Sequence, residues 1–184
     1  MPTSRRLEAL GNGVFARTDR AKQAHRNKTG VPPLIDLSLG STDLQPPKEI
    51  LHCMAAAVTD PASSAYCLEA GTAPFHQAVA AWCQRRFGVE VDPQRQVQLL
   101  VGSQEGTAHL PLAILDPGDP ALLLDPSYPS HRGGLVLAGA SICSLPLSQE
   151  QDWLPDFDAI RPELWDQLKL FVLGYPHNPA AKVG

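Results

Sequence analysis

From residue 97 onward the chain alternates uninterrupted apolar runs with helix-length segments, and that rhythm constrains the fold more than any other feature. Residues 97–101 (VQLLV) run into Gly102, and 121–124, 141–145 and 169–173 repeat the pattern. Such runs lack the polar alternation of a sheet with one wet face, so they read as strands buried on both faces. Between them lie helix-compatible residues at 103–115 and 130–138, a turn at Asp116–Asp119, and helical pieces within 157–168 broken by Pro162. Strands of this kind joined by helices predict an α/β chain with a mainly parallel sheet covered on both sides.

The first half is more helical. An apolar stretch at 34–37 leads into a loop at 38–46, and Pro47 sits where a first helical residue is favoured, opening a helix to about residue 58. Phe75, Ala78, Val79, Trp82, Cys83 and Phe87 follow helical spacing, with Gly88 placed as a stop. That spacing predicts one buried face, with Trp82 and Phe87 in the core. Residues 1–30 hold seven Lys and Arg against two Asp and Glu, and read as a solvated N-terminal helical arm.

Composition excludes several classes. With 43% hydrophobic and 18% charged residues, a core can be buried and disorder is not expected. A net charge of −4 argues against general nucleic-acid binding. No apolar run approaches the roughly 18 residues of a membrane span, and no signal peptide is expected. The cysteines at 53, 67, 83 and 143 have neither metal-ligand nor disulfide spacing, so a reducing cytoplasm and no metal are expected. No two histidines are three or four residues apart, and no G-x-S-x-G elbow is present.

In open α/β sheets, ligands gather beyond the carboxyl ends of the strands. Three polar clusters fall there. Gly102-Ser103-Gln104-Glu105-Gly106 follows the first run, where small residues and a helix start offer backbone N–H groups to a phosphate. Asp125 to His131 follows the second, with Pro126 and Pro129 bracketing Tyr128. A rigidly presented ring can stack on a flat ligand, although an ordinary turn tyrosine reads the same way. Gly174-Tyr175-Pro176-His177-Asn178-Pro179 follows the fourth, and its Asn-Pro is also a common turn initiator.

Taken together, the clusters resemble the class I/II pyridoxal-phosphate-dependent aminotransferases, enzymes of fold type I. Residues 35–40 (IDLSLG) resemble that family's substrate-loop signature, and Tyr66 to Gly71 with Pro74 and Phe75 its tyrosine–glycine segment. Residues 126–131 (PSYPSH) are similar to its cofactor-stacking turn, and His177-Asn178-Pro179 to its Asn-Pro motif. Order and spacing agree from about Arg6 to Gly184. The resemblance implies that Ser103 and Gln104 offer N–H groups to the cofactor phosphate. It implies further that Tyr128 stacks on the ring, Asn178 bonds the ring's phenolic oxygen, and Tyr66 reaches the phosphate of a neighbouring subunit in a homodimer. Gly40 would lie against the substrate carboxylate.

Two departures accompany it. Ala180-Ala181 stands where the family usually has Thr-Gly. The family is also roughly twice as long, and its Schiff-base lysine, the aspartate at the ring nitrogen and the carboxylate-binding arginine all come later. The lysines at 22, 28, 48, 169 and 182 match none of those contexts, and Lys182 reads as a solvent-exposed side chain. The chain is therefore expected to be the N-terminal half of such an enzyme: an arm and substrate loop at 1–47, part of a small domain, and the first half of a cofactor-binding large domain at 48–184.

The function implied is amino transfer between an amino acid and a 2-oxo acid through pyridoxal 5'-phosphate, inactive in this chain alone. A non-catalytic binding or dimer-modulating module, or a lyase of the same fold, remains open. Within the sheet, the resemblance implies that the first run lacks its neighbours, that the second and third pair, and that the fourth stands apart from the second.

Overall fold

A computed structural model describes residues 3–11, 13–66 and 68–184. Cys67 lies outside them. The chain divides into two units, one made of Met1–Leu34 with Val101–Gly184, the other of Ile35–Leu100. Residues 47 and 48, where the sequence reading divides the chain, lie within the second.

The first unit opens with α1 (Arg5–Leu10) and α2 (Val14–Arg26), the expected helical arm. Ser4 caps α1 by accepting the Leu7 N–H at 3.3 Å. In the second unit, α3 (Lys48–Thr59) starts after Pro47 and α4 (Glu69–Phe87) ends on Gly88, whose left-handed backbone (φ 68°) glycine adopts without the Cβ penalty other residues meet. The first unit resumes with α5 (Ser103–Ile114), β1 (Pro120–Asp125), α6 (Pro129–Ala138), β2 (Ser141–Pro146), α7 (Pro162–Gln167) and β3 (Leu170–Val172).

The three strands form one parallel sheet in the order β2-β1-β3, with Ala121 opposite Ile142 and Leu170. The fold is α/β with a helical N-terminal region, as the alternation predicts. β1 is central and alternates its side chains between two cores. Ala121 and Leu123 pack with Leu115, Leu135 and Ala138 under the α6 side, while Leu122 and Leu124 pack with Leu145, Leu147 and Ile160 on the other. Ala121, Leu122, Leu123 and Leu124 are each at most 2% exposed, which is why positions 121–124 carry no polar residue.

The sheet corrects one expectation. The fourth apolar run, β3, pairs directly with β1 instead of standing apart from it, and Lys169 N–H donates to the Pro120 carbonyl at 3.1 Å as the ladder begins. The connection through 147–169 returns β3 to the free edge of β1, where Phe171 joins the core that holds Leu122. Residues 97–101 form no strand: Val101 is 93% exposed, and no ladder partner reaches the segment among the described residues. A strand exists only with a neighbour to bond, and apolar content cannot substitute for one.

A second correction concerns α4. Trp82 and Phe87 are not core residues; they are 49% and 58% exposed and pack edge-on against each other at 5.1 Å. The spacing is helical as predicted, but no second layer covers the face, and none of the described residues of this unit is buried. Among the described residues, no helix is long and apolar enough to cross a membrane.

Candidate cofactor site

The site grows from the carboxyl ends of β1 and β3. β1 ends at Asp125, and the chain turns through Pro126 and Ser127 to Tyr128, whose extended backbone (φ −63°, ψ 132°) precedes Pro129 at the first position of α6. Past β3, Gly174 to Asn178 forms the facing loop. Between them lies a cavity of about 200 Å³, bordered by Tyr128, His131, Gly174, Pro176, His177 and Asn178. Leu124 and Val172, the last apolar residues of the two strands, form its floor. Pockets for drug-sized ligands run to roughly 300–1,000 Å³, so this volume matches one small ring system.

Helix α5 (Ser103–Ile114) reaches the site through its contact with Tyr128. Gly102 holds its N-terminus at φ 80°, and the first-turn N–H groups of Ser103 and Gln104 have no carbonyl one helical turn back to bond. The Gln104 side-chain amide donates to the Tyr128 hydroxyl at 2.5 Å, which joins the α5 start to the aromatic wall. Deeper in, Thr107 Oγ1 donates to Ser130 Oγ at 3.4 Å, tying α5 to α6.

Two histidines border the cavity without having been assigned a ligand role from the sequence. His177 is buried at 4% exposure. Its Nε2 meets the Pro126 carbonyl at 3.1 Å and its Nδ1 accepts the Ala180 N–H at 3.4 Å, so the proton sits on Nε2. This imidazole pins the Asn178 loop to the Tyr128 turn. His131 lies half-buried in the first turn of α6, its ring edge-on to Tyr128 at 5.6 Å. Burial, and secondarily the repulsion that two protonated rings would feel beside His177, pushes its pKa below the usual histidine value.

Of the residues singled out from the sequence, Tyr128 and Asn178 border one cavity, Gln104 touches Tyr128, and Ser103 precedes it in the same helical turn. Tyr66, 96% exposed, and Gly40 belong to the second unit. Lys182 is not a free solvent-exposed side chain: it is half-buried and ion-paired with Asp152. Ala181 keeps a left-handed backbone at φ 56°, so the turn after Asn178 retains a glycine-type conformation without the glycine. Among the described residues, no group of three His, Cys, Asp or Glu side chains could hold a metal ion.

This donor set fits pyridoxal phosphate. A helix start with open N–H groups suits a dianionic phosphate, a tyrosine wall suits a flat ring, and an amide at the rim suits a ring oxygen.

Comparison with known proteins gives the same direction. The family model for aminotransferase class I and II matches residues 32–183. LL-diaminopimelate aminotransferase of Aquifex aeolicus is 40% identical over 178 residues, 97% of this chain and 46% of that protein. The enzyme of the same name from Nitratidesulfovibrio vulgaris (strain DSM 19637 / Miyazaki F) is 41% identical over 176 residues, 96% of this chain and 45% of that protein. A solved structure described as a probable N-succinyldiaminopimelate aminotransferase from Thermus thermophilus superposes with a TM-score of 0.85 at 42% identity. It is matched over 94% of this chain and 46% of its own. The chain thus spans about half the length of the curated relatives it matches. Members of the matched family use pyridoxal 5'-phosphate and act on amino acids and 2-oxo acids. With a family match over most of its length and a fold shared with solved relatives, the chain belongs to the class I and II aminotransferases.

Proposed function

We propose that this chain is the N-terminal half of a pyridoxal-phosphate-dependent aminotransferase and contributes the phosphate cradle and ring wall of its site. The observation that carries the reading is that Tyr128 and Asn178 border one cavity while Gln104, at the α5 start, is bonded to Tyr128. In this reading Ser103 and Gln104 hold the phosphate through backbone N–H groups. The Tyr128 ring covers one face of the cofactor, and the Asn178 amide donates to its phenolic oxygen. Tyr66 reaches the phosphate of the neighbouring subunit of a homodimer, and Gly40 lies against the substrate carboxylate. Residues 1–47 belong to a small domain and 48–184 to the large one.

The cofactor supplies an electron sink for the substrate α-carbon. This chain's residues bind and orient it. In this reading none of the chain's five lysines is the Schiff-base lysine. The 40% identity to an LL-diaminopimelate aminotransferase supports a diaminopimelate-type amino donor and a 2-oxo acid acceptor.

Titration with pyridoxal phosphate tests the reading. Saturable binding that weakens in Asn178→Ala supports it. Absence of binding, or binding indifferent to Asn178, overturns it. The lyase alternative is separated by product analysis of the protein as its gene encodes it: amino transfer to a 2-oxo acid supports the first reading, and elimination without transfer the second.

A further inference from the structure

Three residues other than glycine hold left-handed backbones among the described residues: Asp152 (φ 54°), Trp153 (φ 58°) and Ala181 (φ 56°). L-residues avoid this region because Cβ crowds the following carbonyl. All three belong to two segments that touch each other.

Asp152 and Trp153 lie in the turn after β2, which is closed by the Asp152 N–H on the Gln149 carbonyl at 3.0 Å and the Trp153 N–H on the Ser148 carbonyl at 2.9 Å. Trp153 packs on the core that contains Leu122 and Leu124. Two contacts run from this turn to the Asn178 loop. The Tyr175 hydroxyl donates to the Trp153 carbonyl at 2.8 Å, and the Lys182 ammonium pairs with the Asp152 carboxylate.

Lys182 also closes the loop on itself. Its carbonyl accepts the His177 N–H at 2.6 Å, and the His177 carbonyl accepts the Ala181 N–H at 2.6 Å. Asn178 therefore sits in a small ring of chain whose closing residue is moored to Asp152. The Lys182 side chain is 27% exposed, so much of it lies covered by protein.

We propose that Asp152 and Lys182 are positioning residues for the cofactor site: their ion pair keeps the 177–182 ring closed against the left-handed turn at Ala181 and so fixes Asn178 beside Tyr128. The link to the cofactor rests on the functional reading above; closure of the ring does not.

Hydrogen exchange read by mass spectrometry tests this in the protein as its gene encodes it. The variants are Lys182→Met, Asp152→Asn, the charge swap Asp152→Lys with Lys182→Asp, and Lys182→Met combined with Ala181→Gly. Both single variants should speed exchange over 176–182 by about two- to five-fold, the range of a partly exposed pair, with 120–125 unchanged. The charge swap should restore protection, and so should Ala181→Gly, which removes the conformational demand on the ring. The dissociation constant for added pyridoxal phosphate should rise and fall by the same factor. Unchanged exchange over 176–182, equal acceleration over 120–125, or failure of both rescues overturns the proposal. Exchange that behaves as expected in a protein whose wild type does not bind pyridoxal phosphate supports the mooring and overturns the cofactor reading.

Discussion

Tyr128 meets its surroundings in two chemically distinct ways: its ring borders the cavity and its hydroxyl accepts the Gln104 amide. The two separate by substitution. Tyr128→Phe keeps the ring and should retain most pyridoxal-phosphate affinity, whereas Tyr128→Ala should lose on the order of 1 kcal/mol of binding. Equal losses in a fluorescence titration would assign the contribution to the hydroxyl and Gln104. His131 gives a second test at this scale. Because folding lowers its pKa from 6.5, the unfolded chain binds more protons in the window just below that value. Stability should therefore fall as pH drops from about 6.5 toward the folded-state pKa, then level off, with no contribution above the window. Denaturant midpoints measured from pH 7.5 to 5 should decline less in His131→Gln than in wild type; parallel profiles would remove His131 from the account. His177 shows where sequence reading ends at this scale. Its Asn-Pro neighbour is visible in the chain, but its bond to Pro126 spans 51 positions and only folding brings them together.

Among the elements, the α5–α6 contact has the least room. A Cβ on Gly134 would lie 2.3 Å from the Thr107 carbonyl oxygen, which is backbone and cannot step aside. Gly134→Ala should cost about 1–3 kcal/mol in denaturant unfolding and shift the α5 start that carries Ser103 and Gln104. Gly133→Ala, whose Cβ would meet only Leu10 at 3.7 Å, is the matched control and should cost less. Local elements were legible because their signals are local: Pro47 before α3, Gly88 after α4, and the four apolar positions of β1. Strand pairing was not. Residues 97–101 and 121–124 look alike as text, yet only the second has neighbours to complete its hydrogen bonds. The packing of Trp82 failed for the same reason, since helical spacing names a face and not what covers it.

Across the whole molecule, apolar surface is unevenly distributed. The first unit buries β1 on both sides, while Met54, Val58, Leu68 and Phe87 of the second are each more than half exposed. The 184 residues alone should be marginally soluble, bind a hydrophobic dye strongly and aggregate on warming. A monodisperse monomer with a cooperative thermal transition would overturn that expectation. The discontinuity of the first unit has a further consequence, for synthesis. α1 packs on α6, with Leu10 against Gly133, yet about 120 residues separate them in the chain. At translation rates of about 5–20 residues per second, a ribosome finishes the arm roughly 6–25 s before its docking surface exists. During that interval Leu10 lacks the α6 surface it packs on in the folded chain.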